Sequence, residues 1–222
     1  MDRERTRPST NAARRPRAPG ERARRRVLER AAKLATLEGL EGLSIGRLAA
    51  ATGMPKSSLY VLFGSKEELQ LATVDAARAS FIDEVIEPAL STTPPGRERL
   101  LALCEGFLSY VERRVFPGGC FFVATSAELG GQTGRVHDRV AAYQQQWREL
   151  LQGTAREAKA QRELTADADP DQLAFELGTI LTATNIVAVL HNDDSAITRA
   201  RSAIRQRLGA YGSPTSSDLV RA

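Results

Sequence analysis

Apolar residues in this 222-residue chain recur at spacings of three and four from residue 65 onward, and no alternating stretch of useful length interrupts them. That periodicity belongs to amphipathic helices, so the expected fold class is all-α. Proline and glycine punctuate the pattern: Pro94-Pro95-Gly96 and Pro117-Gly118-Gly119 mark breaks, and Gly209, Gly212 and Pro214 close the last periodic segment. About nine helices are expected. The first runs from about Glu21 to Glu38 and ends at Gly39, and two short ones lie within residues 44–63. The rest run from Lys66 to about Ala89, Arg97 to Val115, Gly134 to Gln161, Pro170 to His191 and Ser195 to Leu208, with a short segment from Cys120 to Leu129.

The two short helices carry the most specific signal. From Ser44 to Phe63, small and apolar residues stand where two crossing helices must touch, around a single glycine. This is the spacing of a helix-turn-helix, which lays its second helix in the DNA major groove. Gly53 falls where the chain must reverse within a few residues, a place that needs a positive φ. Ala49 lies on the face of closest approach, Leu48, Met54 and Leu59 supply the apolar seam, and Phe63 follows it. Ser44 suits an N-cap, Pro55 the first turn of a recognition helix ending near Val61, and Ser65 with Glu68 reads as a capping box.

Through Gly42-Leu43-Ser44-Ile45, Leu48-Ala49, Gly53-Met54, Leu59-Tyr60, Phe63 and Ser65-Lys66-Glu67-Glu68-Leu69, residues 22–75 resemble the TetR family of bacterial transcriptional regulators. The resemblance implies an N-terminal three-helix helix-turn-helix DNA-binding domain on a larger helical bundle that dimerises and binds a small effector. It also implies that Tyr60 and Lys66 contact phosphate and that Lys56, Ser57 and Ser58 face the groove, with Ser44 among the DNA-binding residues. Chemistry agrees: a lysine at a helix N-terminus opposes the dipole and wants an anion nearby, while serines donate to or accept from several bases. Thr52, Pro55 and Leu62 depart from the family's usual residues, and Leu62 replaces a polar side chain that often touches the backbone of DNA. Phe116-Pro117-Gly118-Gly119-Cys120-Phe121-Phe122, followed by Ala127-Glu128-Leu129, resembles the C-terminal domain of one subgroup of the family.

Charge changes the picture at one end only. The first 30 residues hold eleven arginines against four acids, so they carry +7 of a chain whose total is +4. Residues 1–19 have almost no large apolar side chains and are expected to be a disordered Arg-rich arm, able to lie along phosphates or to act as an inert tail. The expected organisation is that arm, a DNA-binding domain over 20–68, an effector-binding and dimerisation domain over 69–211 and a loose tail over 212–222. No apolar N-terminal stretch reads as a secretory signal, and the uncharged run from Leu177 to Leu190 is shorter than the roughly 20 residues of a membrane helix, so a cytoplasmic location without membrane partners is expected.

The penultimate helix predicts a partner. Leu173, Leu177, Ile180, Leu181, Thr184, Ala188 and His191 form one stripe, and Phe175, Thr182, Ile186 and Val189 form another on the opposite side. A helix apolar on both sides needs cover on both, and few elements remain, so a homodimer is expected. Ile197, Ile204 and Leu208 of the final helix are expected to join Phe175, Thr182, Ile186 and Val189 in a four-helix contact.

Between these ends, Phe107, Tyr110, Phe121, Phe122, Tyr143 and Trp147 cluster in a chain with only 5% aromatics, and with Glu128, Gln144 and Asn185 they are candidates to line an effector pocket. No catalytic or metal-binding pattern, cofactor motif or disulfide framework appears: His137 and His191 fit no metal spacing, and Cys104 and Cys120 read as small apolar residues. The expectation is a transcriptional regulator, not an enzyme, most simply a repressor released from a double-stranded, pseudo-palindromic operator by a small molecule. The rival is a ligand-independent architectural protein that coats DNA through its basic arm.

Overall fold

A computed structural model describes residues 19–211, so the arm before them and the tail from 212 onward lie outside the described residues. The elements are α1 (Pro19–Glu38), α2 (Ile45–Thr52), α3 (Lys56–Phe63), α4 (Lys66–Phe81), a π-helical turn (Ile82–Ile86), α5 (Glu87–Thr92), α6 (Arg97–Glu112), α7 (Phe121–Leu129), α8 (Arg135–Ala160), α9 (Pro170–Leu190) and α10 (Ser195–Ala210). No strand occurs among the described residues. α4, the π turn and α5 form one rod, so the all-α fold has nine separate rods in this region.

The rod expected from Lys66 to Ala89 is therefore real but locally widened. Glu87 donates its N–H to Ile82, five residues back, and Pro88 beside it has no N–H with which to continue the ordinary ladder. Proline thus explains the π turn, which hydrophobic spacing alone had concealed.

α1, α2, α3 and the start of α4 form a head around Leu40, Leu43, Leu48, Leu59 and Leu69, all essentially without solvent exposure. Below it, α4 continues into a body in which α8 and α9 pair most extensively, and α10 packs on α9 and α6. The Pro117-Gly118-Gly119 turn clamps the two parts together. A Cβ on Gly118 would fall 1.9 Å from the carbonyl oxygen of Thr36 on α1, so only glycine permits this approach.

On the outward side of α9 Phe175 is 68% exposed, Thr182 and Ile186 are exposed and Val189 is half-buried, and the first three also line the cavity described below. The final helix corrects the expectation. Ile197, Ile204 and Leu208 are buried within their own protomer against the body, and Ile204 is only 1% exposed. α10 has a single strong apolar face, and its own bundle claims it, with Arg201 bridging to Glu105 and Glu112 on α6. What α10 presents outward is a shallow groove of Ala203 and Ala210 beside Phe175 and Ile180.

α9 also exceeds the uncharged run that marked it. Its 21 residues, with mean hydropathy 1.7 over 18 of them, are long and apolar enough to cross a membrane by length and composition. In the fold, however, it packs against α8, α10 and α6. Glu176 pairs with Arg207, and buried Asn185 accepts the N–H of Cys120 at 2.7 Å, polar ties suited to a helix inside a bundle.

Candidate nucleic-acid interface and body cavity

The turn between α2 and α3 has the geometry its sequence requires. Gly53 takes φ 70° and ψ 7° and donates its N–H to Ala49 at 2.9 Å, a left-handed close to α2. Ala49 and Leu48 are buried at the crossing, Met54 packs on the core, and Leu59 and Phe63 point inward from α3. Thr52, a departure from the family's usual residue, accepts the N–H of Met54 at 3.4 Å and donates to Leu48 at 2.8 Å, so its hydroxyl ties the turn. Pro55 stands just before α3 rather than inside its first turn, and its carbonyl accepts from Ser58 and Leu59.

The opposite face of α3 is open. Lys56, Ser57 and Tyr60 are exposed, Tyr60 by 55%, whereas Ser58 is half-buried against the head. Val61, at 88%, is the most exposed large apolar residue of the described chain and was not singled out from sequence. Its place one turn after Ser57 on the same face was the available signal. α3 holds no acidic residue. Its exposed groups are therefore a cation, a phenol, a hydroxyl and a branched methyl surface, which suit phosphate oxygens, base edges and a thymine methyl.

Two residues flank this face. Ser44 caps α2, its Oγ accepting the N–H of Arg47 at 3.1 Å, so its acceptor role is internal while its proton remains able to donate. Lys66 opens α4, and its Nζ lies 3.2 Å from Glu41, a half-exposed pair that an incoming phosphate would have to replace. The expected capping box is only half formed. Ser65 accepts the N–H of Glu68, but Glu68 turns to Arg135 at 2.7 Å while the N–H of Ser65 goes to Phe63.

About 15 residues along α4 the rod meets a cavity of about 680 Å³ between α4, α6, α8 and α9. Phe107, Phe122, Tyr143 and Trp147 line it as expected from sequence, and so does Gln144. Phe81, missed in the sequence because it reads as one more stripe position of α4, is the hub: its ring lies 5.1 Å from Trp147 and 5.6 Å from Tyr110, both edge-on. Ile82 and Ile86 of the π turn also form the wall.

Four of the expected lining residues lie elsewhere. Tyr110 and Phe121 are buried behind the wall in the core, where burial pushes the phenol of Tyr110 far up. Asn185 is occupied with Cys120. Glu128 lies at the far end of α7, where its carboxylate accepts the N–H groups of Leu40 at 2.8 Å and Glu41 at 2.6 Å. A sequence shows which residues are aromatic or polar, but only packing decides which side of a helix meets a void.

Polar side chains interrupt the apolar wall, among them Arg78, Glu87, Gln146 and Arg148. Tyr143 donates its hydroxyl to Asp75 at 2.7 Å, and its phenol is held above the usual range first by burial and then by that carboxylate. Arg139 also takes Asp75, at 2.6 Å. The Arg78 guanidinium lies 4.7 Å from the Tyr143 ring centre. Cys104 and Cys120 are buried thiols, pushed up to about 12 and about 11, so neither is ionised near neutrality.

Comparison with known proteins adds the family relation. Residues 27–73 match the pattern described as bacterial regulatory proteins, tetR family, and residues 96–204 match the tetracyclin repressor-like C-terminal domain. The transcriptional regulator AcuR of Cereibacter sphaeroides is 30% identical over 143 residues, which span 63% of this chain and 64% of that relative's length. A TetR transcriptional regulator from Chloroflexus aurantiacus superposes with a TM-score of 0.79 at 26% identity, covering 87% of this chain and 97% of that one. A regulator from Saccharomonospora viridis, solved with choline, gives 0.69 at 21% identity, covering 85% and 96%.

Proposed function

The chain belongs to the TetR family of bacterial transcriptional regulators, and we propose that it is a homodimeric, sequence-specific repressor, released from a pseudo-palindromic operator by a small molecule bound in the body. One observation carries this reading. A single rod, α4 with its π turn, bears Lys66 beside the exposed face of α3 at one end and Phe81, Ile82 and Ile86 in the cavity wall at the other.

Residues 20–68 serve as the reading head and 69–211 as the effector and dimer body, with α4 shared between them. Two copies joined through the outward faces of α9 and α10 would present two α3 helices, spaced to enter grooves about 34 Å or a multiple apart. Lys56, Ser57, Tyr60 and Lys66 are assigned to DNA, joined by Val61, with Ser44 donating at the edge and Ser58 in a supporting place. A ligand that fits one tilt of α4 better than another shifts the separation of the heads, whereas equal affinity for both would shift nothing. Such a regulator works in the cytoplasm, where its operator is. The Saccharomonospora viridis regulator, solved in complex with choline, supports small-molecule binding by a protein of this fold, without naming the ligand here.

The test is selection of fragments from total genomic DNA by the purified protein, followed by footprinting. The expected result is one protected pseudo-palindrome whose base preference changes in Ser57→Ala and Val61→Ala. Uniform protection that competitor DNA of any sequence removes equally would replace this reading with the architectural one.

A further inference from the structure

We infer that the molecule received by the cavity is an amphipathic organic carboxylate whose anionic head pairs with Arg78, an inference that rests on the cavity being the effector site. Arg78 is half-buried in the cavity wall, on the inner face of α4, one turn before Ile82 of the π turn. Its guanidinium offers five N–H donors, and the structure uses one, to Oε1 of Gln146 at 3.0 Å, besides the Tyr143 ring it rests on. Among the described residues no carboxylate comes within ion-pair distance of it. The neighbouring acid on α4, Asp75, is already held by Arg139 and the Tyr143 hydroxyl.

A partly desolvated cation of this kind gains most from a planar anion that takes two parallel N–H groups, which is the geometry of a carboxylate. The rest of the wall sets the remainder of the ligand. Phe81, Phe107, Phe122 and Trp147 form an apolar box with no charge of its own, suited to a hydrocarbon or aromatic body. At the rim, exposed Arg148 adds a second cation against a single acid, Glu87, so the charged lining favours anions over amines. Because Arg78 sits on the rod that begins at Lys66, an anion held there acts on the helix that positions the head.

Trp147 is the only tryptophan and lies in the wall, so its emission reports occupancy without DNA. The full-length protein is titrated at pH 7.5 with octanoate, 1-octanol and octylamine. Octanoate is expected to shift the emission saturably and to bind about tenfold tighter than 1-octanol, the size of one charge-assisted pair, with octylamine weakest. Arg78→Gln should bring octanoate down to the affinity of 1-octanol and leave 1-octanol unchanged, while Arg78→Lys keeps part of the preference. If 1-octanol or octylamine binds as tightly as octanoate, or the preference survives in Arg78→Gln, the carboxylate assignment is overturned while the cavity reading stands. If none of the three perturbs Trp147, both fall.

Discussion

Glu128, near the end of α7, reaches over the turn after α1 and accepts the backbone N–H of Glu41 at 2.6 Å, with that of Leu40 at 2.8 Å. The body thereby caps orphan donors of the head, and the side chain of Glu41 in turn holds Lys66. α7 begins at the cavity with Phe122 and ends at this latch, so it joins ligand site and head along a second line besides α4.

Removing the latch leaves two N–H groups without a charged acceptor. Glu128→Ala is expected to lower stability by about 1–3 kcal/mol, and Glu128→Gln by less, since an amide oxygen still accepts. Urea unfolding of both variants checks this, and an unchanged midpoint for Glu128→Ala would show that water replaces the carboxylate at no cost.

Gly118 offers a sterically sharper test. A methyl group there meets backbone of α1 at 1.9 Å, which neither a rotamer change nor a small shift relieves. Gly118→Ala should therefore cost more than about 2 kcal/mol, seen as a drop in Tm of several degrees or failure to fold. A normal melting curve would mean that α1 does not pack on this turn.

DNA binding separates phosphate contacts from base contacts. Lys66→Ala is expected to weaken operator and non-specific binding together and to reduce the slope of log Kd against log salt by about one, read by fluorescence anisotropy at several salt concentrations. An intact slope would return Lys66 to its ion pair with Glu41 alone.

Assembly distinguishes the outward face of α9 from the inward face of α10. Phe175→Glu with Ile186→Glu should give a folded monomer in sedimentation velocity, because both side chains are exposed in the protomer. Ile204→Glu should unfold the chain instead, since it places a charge in the core. A dimer that survives the double change would have to form through another surface.

Acid sensitivity follows in part from two bridges of the body, beside the Glu38–Arg47 pair of the head. The Arg201 guanidinium holds the carboxyl of Glu112, and that of Arg207 holds Glu176, below the usual 4.5. A carboxyl lowered in the folded state adds stability that is complete above its unfolded value and lost as pH falls through the folded one. Urea midpoints are thus expected to hold near neutrality and to drop below about pH 4.5. Glu112→Gln and Glu176→Gln together should flatten that drop, and an unchanged profile in the pair would place the acid sensitivity elsewhere.

The sequence by itself determined the all-α class, the helix boundaries to within a few residues and the head with its positive-φ Gly53, because these depend on local spacing, capping and backbone freedom. It also identified the outward stripe of Phe175, Thr182 and Ile186, since a second apolar face on one helix is visible in the periodicity. Only the tertiary structure decided which apolar and polar residues meet which neighbour. A stripe records that a face is covered but not by what, so Ile204 and Leu208 were legible as apolar and illegible as internal. Likewise Phe81 became the hub of the cavity, while Glu128 and Asn185 left it for backbone N–H groups 88 and 65 residues away in the chain. Such partners are brought together by packing between distant segments, and no local pattern encodes that distance.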